Sequence, residues 1–201
     1  MLSRIIFAFT LLGSSLAAQE VESVYTDLDM DDDCEWTFDD EYDGGSAVCK
    51  GYEDYPVYLA EGDLRMSVQF GDLTEAHMFH DGFMGFNYVN DVVEWRIEDG
   101  APYATILRWF ISFPNDDGDD LEAQTLVVST IADPAAPAVE RTSCHVAYID
   151  ALANPDPNQL ARQVAHLAAK NFRCGIDVPI YVGQKGEVAG GPLNWHPAEF
   201  E

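Results

Sequence analysis

The sequence predicts an α+β fold: an antiparallel sheet of about six or seven strands, followed by one C-terminal helix packed on it and held by two disulfides. Three observations predict it. Apolar residues recur with a period of two across residues 64–131, the pattern of half-buried strands. A period near 3.6 appears once, after residue 156. Four cysteines, an even number, follow a segment that reads as an export signal. Strands in a run and then a helix make an α+β domain rather than a parallel α/β one.

Residues 1–17 have the form of a signal peptide. Arg4 supplies the positive n-region, Ile5 to Leu12 the apolar h-region, and Ser15-Leu16-Ala17 the small residues of a cleavage site. Cleavage after Ala17 is expected to release a mature chain without a membrane span, in the periplasm or outside the cell. Residues 18–45 form an acidic N-terminal segment, in which every charged residue from Glu20 to Asp43 is acidic. Like charges this dense predict a solvated segment. Asp27-x-Asp29-x-Asp31 opens like a calcium loop, but Asp32 stands where glycine is needed and Phe38 where the bidentate glutamate belongs.

A single α+β domain is expected over residues 46–182. Short strands are expected at 46–50 and 55–60. Leu64, Met66, Val68 and Phe70 alternate with Arg65, Ser67 and Gln69, and Val93, Trp95 and Ile97 with Glu94, Arg96 and Glu98. Asp99-Gly100 is a hairpin turn into a strand from Tyr103 to Phe113. Asn115 to Gly118 marks the next turn, before a strand from Leu126 to Ile131. Cys144 to Leu152 then reads as a strand of about 26 Å. Asp156-Pro157 opens a helix to about Arg173, roughly 24 Å long, with Gln159 at capping-box spacing and Gly175 as terminator. Its predicted apolar stripe is Leu160, Val164, Leu167, Ala168 and Phe172, with Arg162, Gln163, His166 and Lys170 facing water. The tail, 183–201, reads as irregular.

Those lengths match, so an antiparallel return brings Cys174 beside Cys144. Three pairings of the four cysteines exist, and this geometry favours Cys144–Cys174 with Cys34–Cys49, the latter closing where Gly44-Gly45 lets the chain reverse. No C-x-x-C occurs, which argues against a zinc site.

The runs CKGYEDYPVYLAEGDLRMSVQFG, VVEWRIEDGAPYATILRWF and CHVAYIDALANPDPNQLARQVA…FRCG resemble a family of secreted proteobacterial proteins with no assigned activity. The resemblance covers most of residues 25–178. It implies a signal peptide, similarly placed cysteines and one compact domain, and it implies no catalytic residue.

Charge narrows the function classes. The chain has 201 residues with 36 acidic against 10 basic, a formal net charge of -26 and a pI near 4.1. Nucleic acid and anionic membrane surfaces need a basic footprint, so neither is an expected partner. No P-loop, dinucleotide fingerprint or G-x-S-x-G is present, and no cofactor is expected. Ser129, His145 and Asp150 have no spacing that brings them together. His77 and His80 have the i, i+3 spacing of metal ligands but lack a visible third partner. Arg65, Arg96 and Arg108 fall on strands, out of phase with the large apolar residues, and line a sheet face with Asp63, Glu94 and Glu98. They read either as cross-strand ion pairs or as an anion-binding patch. The expected function is non-catalytic binding of a cationic partner, such as a basic protein. The alternatives are an exported hydrolase using paired carboxylates and a metal-binding envelope protein.

Overall fold

The computed structural model describes residues 21–39, 44–74, 81–114 and 120–193. The mature N-terminus, the 115–118 turn, His77 and His80 lie outside them. Twelve strands form among the described residues: β1 Val21–Asp27, β2 Cys34–Asp39, β3 Gly44–Tyr52, β4 Tyr55–Gly62, β5 Arg65–Phe70, β6 Gly82–Phe83, β7 Phe86–Glu98, β8 Ala101–Pro114, β9 Asp120–Thr130, β10 His145–Asp150, β11 Ile180–Tyr181 and β12 Pro192–Leu193. One α-helix, α1, spans Pro157–Ala168.

The strands form three sheets rather than one of six or seven strands. A six-stranded sheet has the order β1-β7-β8-β9-β10-β11, a four-stranded meander runs β2-β3-β4-β5, and β12 pairs with β6. Neighbours are antiparallel except β10 and β11. The two larger sheets share one core. Val57, Leu59, Met66, Val68 and Phe70 from the meander meet Val93, Trp95, Leu107, Trp109 and Val127 from the larger sheet. The opposite face of the larger sheet carries Ala104, Ile106, Leu126, Val128 and Ile149, and α1 covers it with Ala161 and Ala165. The layers therefore run meander, central sheet, helix. A central sheet buried on both faces explains why β10 is buried at every position.

The acidic stretch supplies two strands. β1 pairs with β7 from Val21↔Glu98 to Asp27↔Val92, and β2 pairs with β3. Strand pairing and acidity coexist because β1 is an edge strand on which Glu22 and Asp27 are both exposed. Gly44 and Gly45 begin β3 opposite Asp39 and Phe38 rather than forming the reversal. A side chain at Gly44 would meet the Glu61 carbonyl oxygen at 2.7 Å.

Both expected disulfides form: Cys34–Cys49, and Cys144–Cys174, which the length match favoured, with Cα atoms 5.7 Å apart. The helix is shorter than expected. It ends at Ala168, and a 3-10 turn at Ala169–Asn171 completes the return. Asp156 occupies the N-cap without a side-chain cap bond, so the capping box does not form. Leu167 is 78% exposed and leaves the stripe, while Arg162 is half-buried against Glu94; Lys170 is exposed, as expected, and pairs with Glu98. Leu64 is 64% exposed because it sits in the β4–β5 turn with Asp63, both at positive φ. Asp99 and Gly100 form the expected β7–β8 turn.

Candidate functional site

The centre of the candidate site is an irregularity in β7. Between Val89 and Val93 the β7–β8 register shifts, and the Leu28 amide donates to the Asp91 carbonyl at 2.7 Å. Bulges bend a strand and re-aim its side chains, and they favour functional edges. Here the bulge separates two pockets of opposite character.

The first pocket, about 470 Å³, is lined by Asp27, Leu28, Asp29, Met30, Val89 and Asp91. Leu28 and Val89 belong to the core between the sheets and form its apolar floor. The three carboxylates are exposed around it. The loop is held from within. Asp29 Oδ1 accepts the backbone N–H groups of Asp31 and Asp32 at 3.0 and 3.1 Å, and Trp36 Nε1 donates to the Met30 carbonyl at 2.9 Å. Asp29 thus serves an Asx turn, not the first half of a calcium loop. Among the described residues no three His, Cys, Asp or Glu side chains converge closely enough to hold a metal ion.

The second pocket, about 220 Å³, opens on the helix-side face around Arg108, with Asn90, Glu94, Ile106, Leu126 and Asn158 in its lining. The three predicted arginines separate here. Arg96 and Arg108 lie on the central sheet, on β7 and β8, whereas Arg65 lies on the meander. Arg65 pairs with Asp63, donates to the Met84 carbonyl at 2.9 Å and lies 4.9 Å from the Phe86 ring centroid. Arg96 pairs with buried Glu94 at 3.6 Å and donates to Ser23. Arg162, which the sequence placed in water, closes the network. Its Nε and a terminal nitrogen reach Glu94 at 2.6 and 3.1 Å, and it also donates to Tyr25. Hydrogen bonding to that carboxylate raises the Arg162 pKa further. The i, i+4 spacing of Arg162 and His166 on one helix face pointed outward, so only the sheet's uncovered edge could have revealed this partner.

A third feature is buried. His145 is 1% exposed, with Nδ1 3.1 Å from the Tyr148 hydroxyl and its backbone N–H donating to Asp81. Phe83 and Trp109 pack around the ring. Burial lowers the His145 pKa, and the Asp81 charge offsets this only in part. His145 faces Ser129 across the β9–β10 ladder, but Asp150 is used elsewhere, accepting the N–H groups of Leu152, Ala153 and Gly186. Ser129, His145 and Asp150 are all buried. Asp150 acts as a turn cap.

No helix among the described residues is long and apolar enough to cross a membrane. Compared with protein-family models, curated proteins and solved structures, the chain matches none of them.

Proposed function

We propose that this protein is an exported, non-catalytic binding module whose partner presents cationic side chains. The observation that carries the reading is the pocket beside the β7 bulge, with Asp27, Asp29 and Asp91 around an apolar floor of Leu28 and Val89. Lysine and arginine side chains combine an apolar stem with a charged head, and this arrangement matches both parts. The excess of acid supports it: 36 carboxylates cannot be neutralised by 10 basic residues, and a field of that sign steers cations toward the surface. A dispersed set of carboxylates suits a guanidinium or ammonium group better than a bare metal ion, which needs closely converging ligands.

Export belongs to the same proposal. Two disulfides fit an oxidising compartment. The signal at residues 1–17 and the resemblance to secreted proteobacterial proteins point the same way.

The test is binding of the mature chain to a basic protein, such as a lysozyme, at low and at high salt. Binding should weaken steeply with salt. The triple variant Asp27→Asn/Asp29→Asn/Asp91→Asn should weaken it at least about tenfold, because charged contacts at a rim set association. Equal binding by the variant, or no salt dependence, refutes this assignment.

A further inference from the structure

We propose that the pocket around Arg108 is a second, independent binding site, and that it takes a small organic carboxylate. The first reason is charge. Among the described residues Arg65, Arg96, Arg141, Arg162 and Arg173 each pair with a carboxylate. Among the described residues Arg108 forms no ion pair, and its guanidinium donates to the neutral Gln124 amide oxygen at 2.9 Å. In a chain with 36 acidic residues, an arginine with no carboxylate partner among the described residues is conspicuous, and this one faces a cavity.

Glu94 also lines the pocket, but its charge is spent. Its side chain is 7% exposed, Arg162 holds both oxygens, Arg96 lies 3.6 Å away, and the Ser23 hydroxyl donates at 2.5 Å. With Arg96 and Arg162 neutralising Glu94, Arg108 is the charged side chain of the lining that has no counter-ion among the described residues. The N-terminus of α1 adds to this. Asp156 makes no side-chain cap bond, and Asn158, in the first turn, lines the cavity. The positive end of the helix dipole favours an anion there.

Shape narrows the ligand. About 220 Å³ has room for an acid of several carbons but not for an oligomer. Ile106 and Leu126, beside Arg108 on the same face of the sheet, form an apolar wall next to the guanidinium. A fully hydrated anion such as phosphate would leave that wall unused. A carboxylate with a short apolar body would place its two oxygens on the planar guanidinium fork and its carbons on the wall. The site lies across the central sheet from the acidic pocket, so each can be lost without the other.

The experiment is calorimetric titration of the mature chain with benzoate and butyrate, with butylammonium and inorganic phosphate as comparators. Benzoate or butyrate should saturate with a dissociation constant of about 1 mM or tighter, and the comparators should not. Arg108→Gln should weaken binding about tenfold or more, the effect of losing a charge-assisted pair. Asn158→Asp, an exposed change that keeps the fold, should weaken it as well by placing a negative charge at the rim. Arg65→Gln, on the other sheet, should leave it unchanged. Absence of saturation, phosphate binding as tight as benzoate, or equal effects of Arg108→Gln and Arg65→Gln would each overturn the proposal.

Discussion

Arg162 on the helix and Glu94 on the second strand of the central sheet form a two-point ion pair, 2.6 and 3.1 Å long, across 68 residues of chain. Glu94 is nearly buried, while Arg162 is more than a third exposed. The pair fixes the helix against the β1–β7 edge at the same place where the arginine pocket opens. Removing the arginine leaves a desolvated carboxylate with only Arg96, 3.6 Å away, and the Ser23 hydroxyl among the described residues.

Arg162→Ala should therefore lower stability by about 1–3 kcal/mol, the range for losing hydrogen bonds to a charged group. The same change made in a Glu94→Gln background should cost less. A double-mutant cycle from urea midpoints should give a coupling of at least about 1 kcal/mol. Additive effects would mean that the pair is solvated and holds nothing.

The β4–β5 hairpin carries a separate local strain. Asp63 and Leu64 both sit at positive φ, 50° and 59°, and Leu64 exposes its side chain to water. The left-handed conformation costs an ordinary residue roughly 1–2 kcal/mol, and glycine avoids that cost. Leu64→Gly should raise the urea midpoint, with a net gain of up to about 1 kcal/mol after the added freedom of the unfolded chain. Unchanged or lower stability would show that Leu64 packs in a way its exposure does not suggest.

His145 sets a pH dependence whose direction follows from its burial. Its pKa in the folded protein lies below the ordinary value, so the folded state stays neutral where the unfolded chain already takes a proton. Stability is complete above about pH 6.5, the unfolded value, and is lost as pH falls toward the folded value. The slope in that window is at most about 1.4 kcal/mol per pH unit. Urea midpoints at pH 7.5, 6.5 and 5.5 should fall for the parent protein and stay flatter for His145→Gln. Identical slopes would assign the loss to other groups.

Much of this fold was legible because long strands repeat their chemistry. The alternation through Val93, Trp95 and Ile97 marks a real strand, and Asp99-Gly100 its turn. Alternation alone does not say which sheet a strand joins. Met66 and Trp95 read alike in sequence, yet they approach one core from opposite sheets. The helix shows a second limit. Large apolar residues suggested its buried stripe, but its fully buried positions are Ala161 and Ala165, packed near Ala104 and Ala147. Close approach selects small side chains, which carry little hydropathy. For the site, the strand arginines were visible, whereas Arg162 and the bulge at Asn90–Val92 depend on tertiary contacts that no local pattern encodes.

The two disulfides differ in what they hold, and that difference is measurable. Cys34 and Cys49 face each other across the β2–β3 ladder, 15 residues apart, joining strands that already share a hydrogen-bonded register. Cys144 and Cys174 are 30 residues apart and join the start of β10 to the chain just past the helix. Loop-closure entropy gives about 3 kcal/mol for the shorter loop and about 4 kcal/mol for the longer one. Contacts widen the gap. The Thr130 hydroxyl lies 3.4 Å from Cys174 Sγ and accepts the Cys144 backbone N–H at 3.0 Å, so the longer link is tied into β9 as well. Without it, the three-residue 3-10 turn, the apolar face of α1 and the Arg162–Glu94 pair must hold the helix on the sheet. Replacing the 144–174 pair with alanines should thus lower the melting temperature more than replacing the 34–49 pair. Non-reducing peptide mapping should first recover only 34–49 and 144–174 peptides. A 34–174 or 49–144 peptide would overturn the pairing, and a larger loss from the 34–49 variant would show that the acidic hairpin, not the helix, is the part of the fold that most needs its bond.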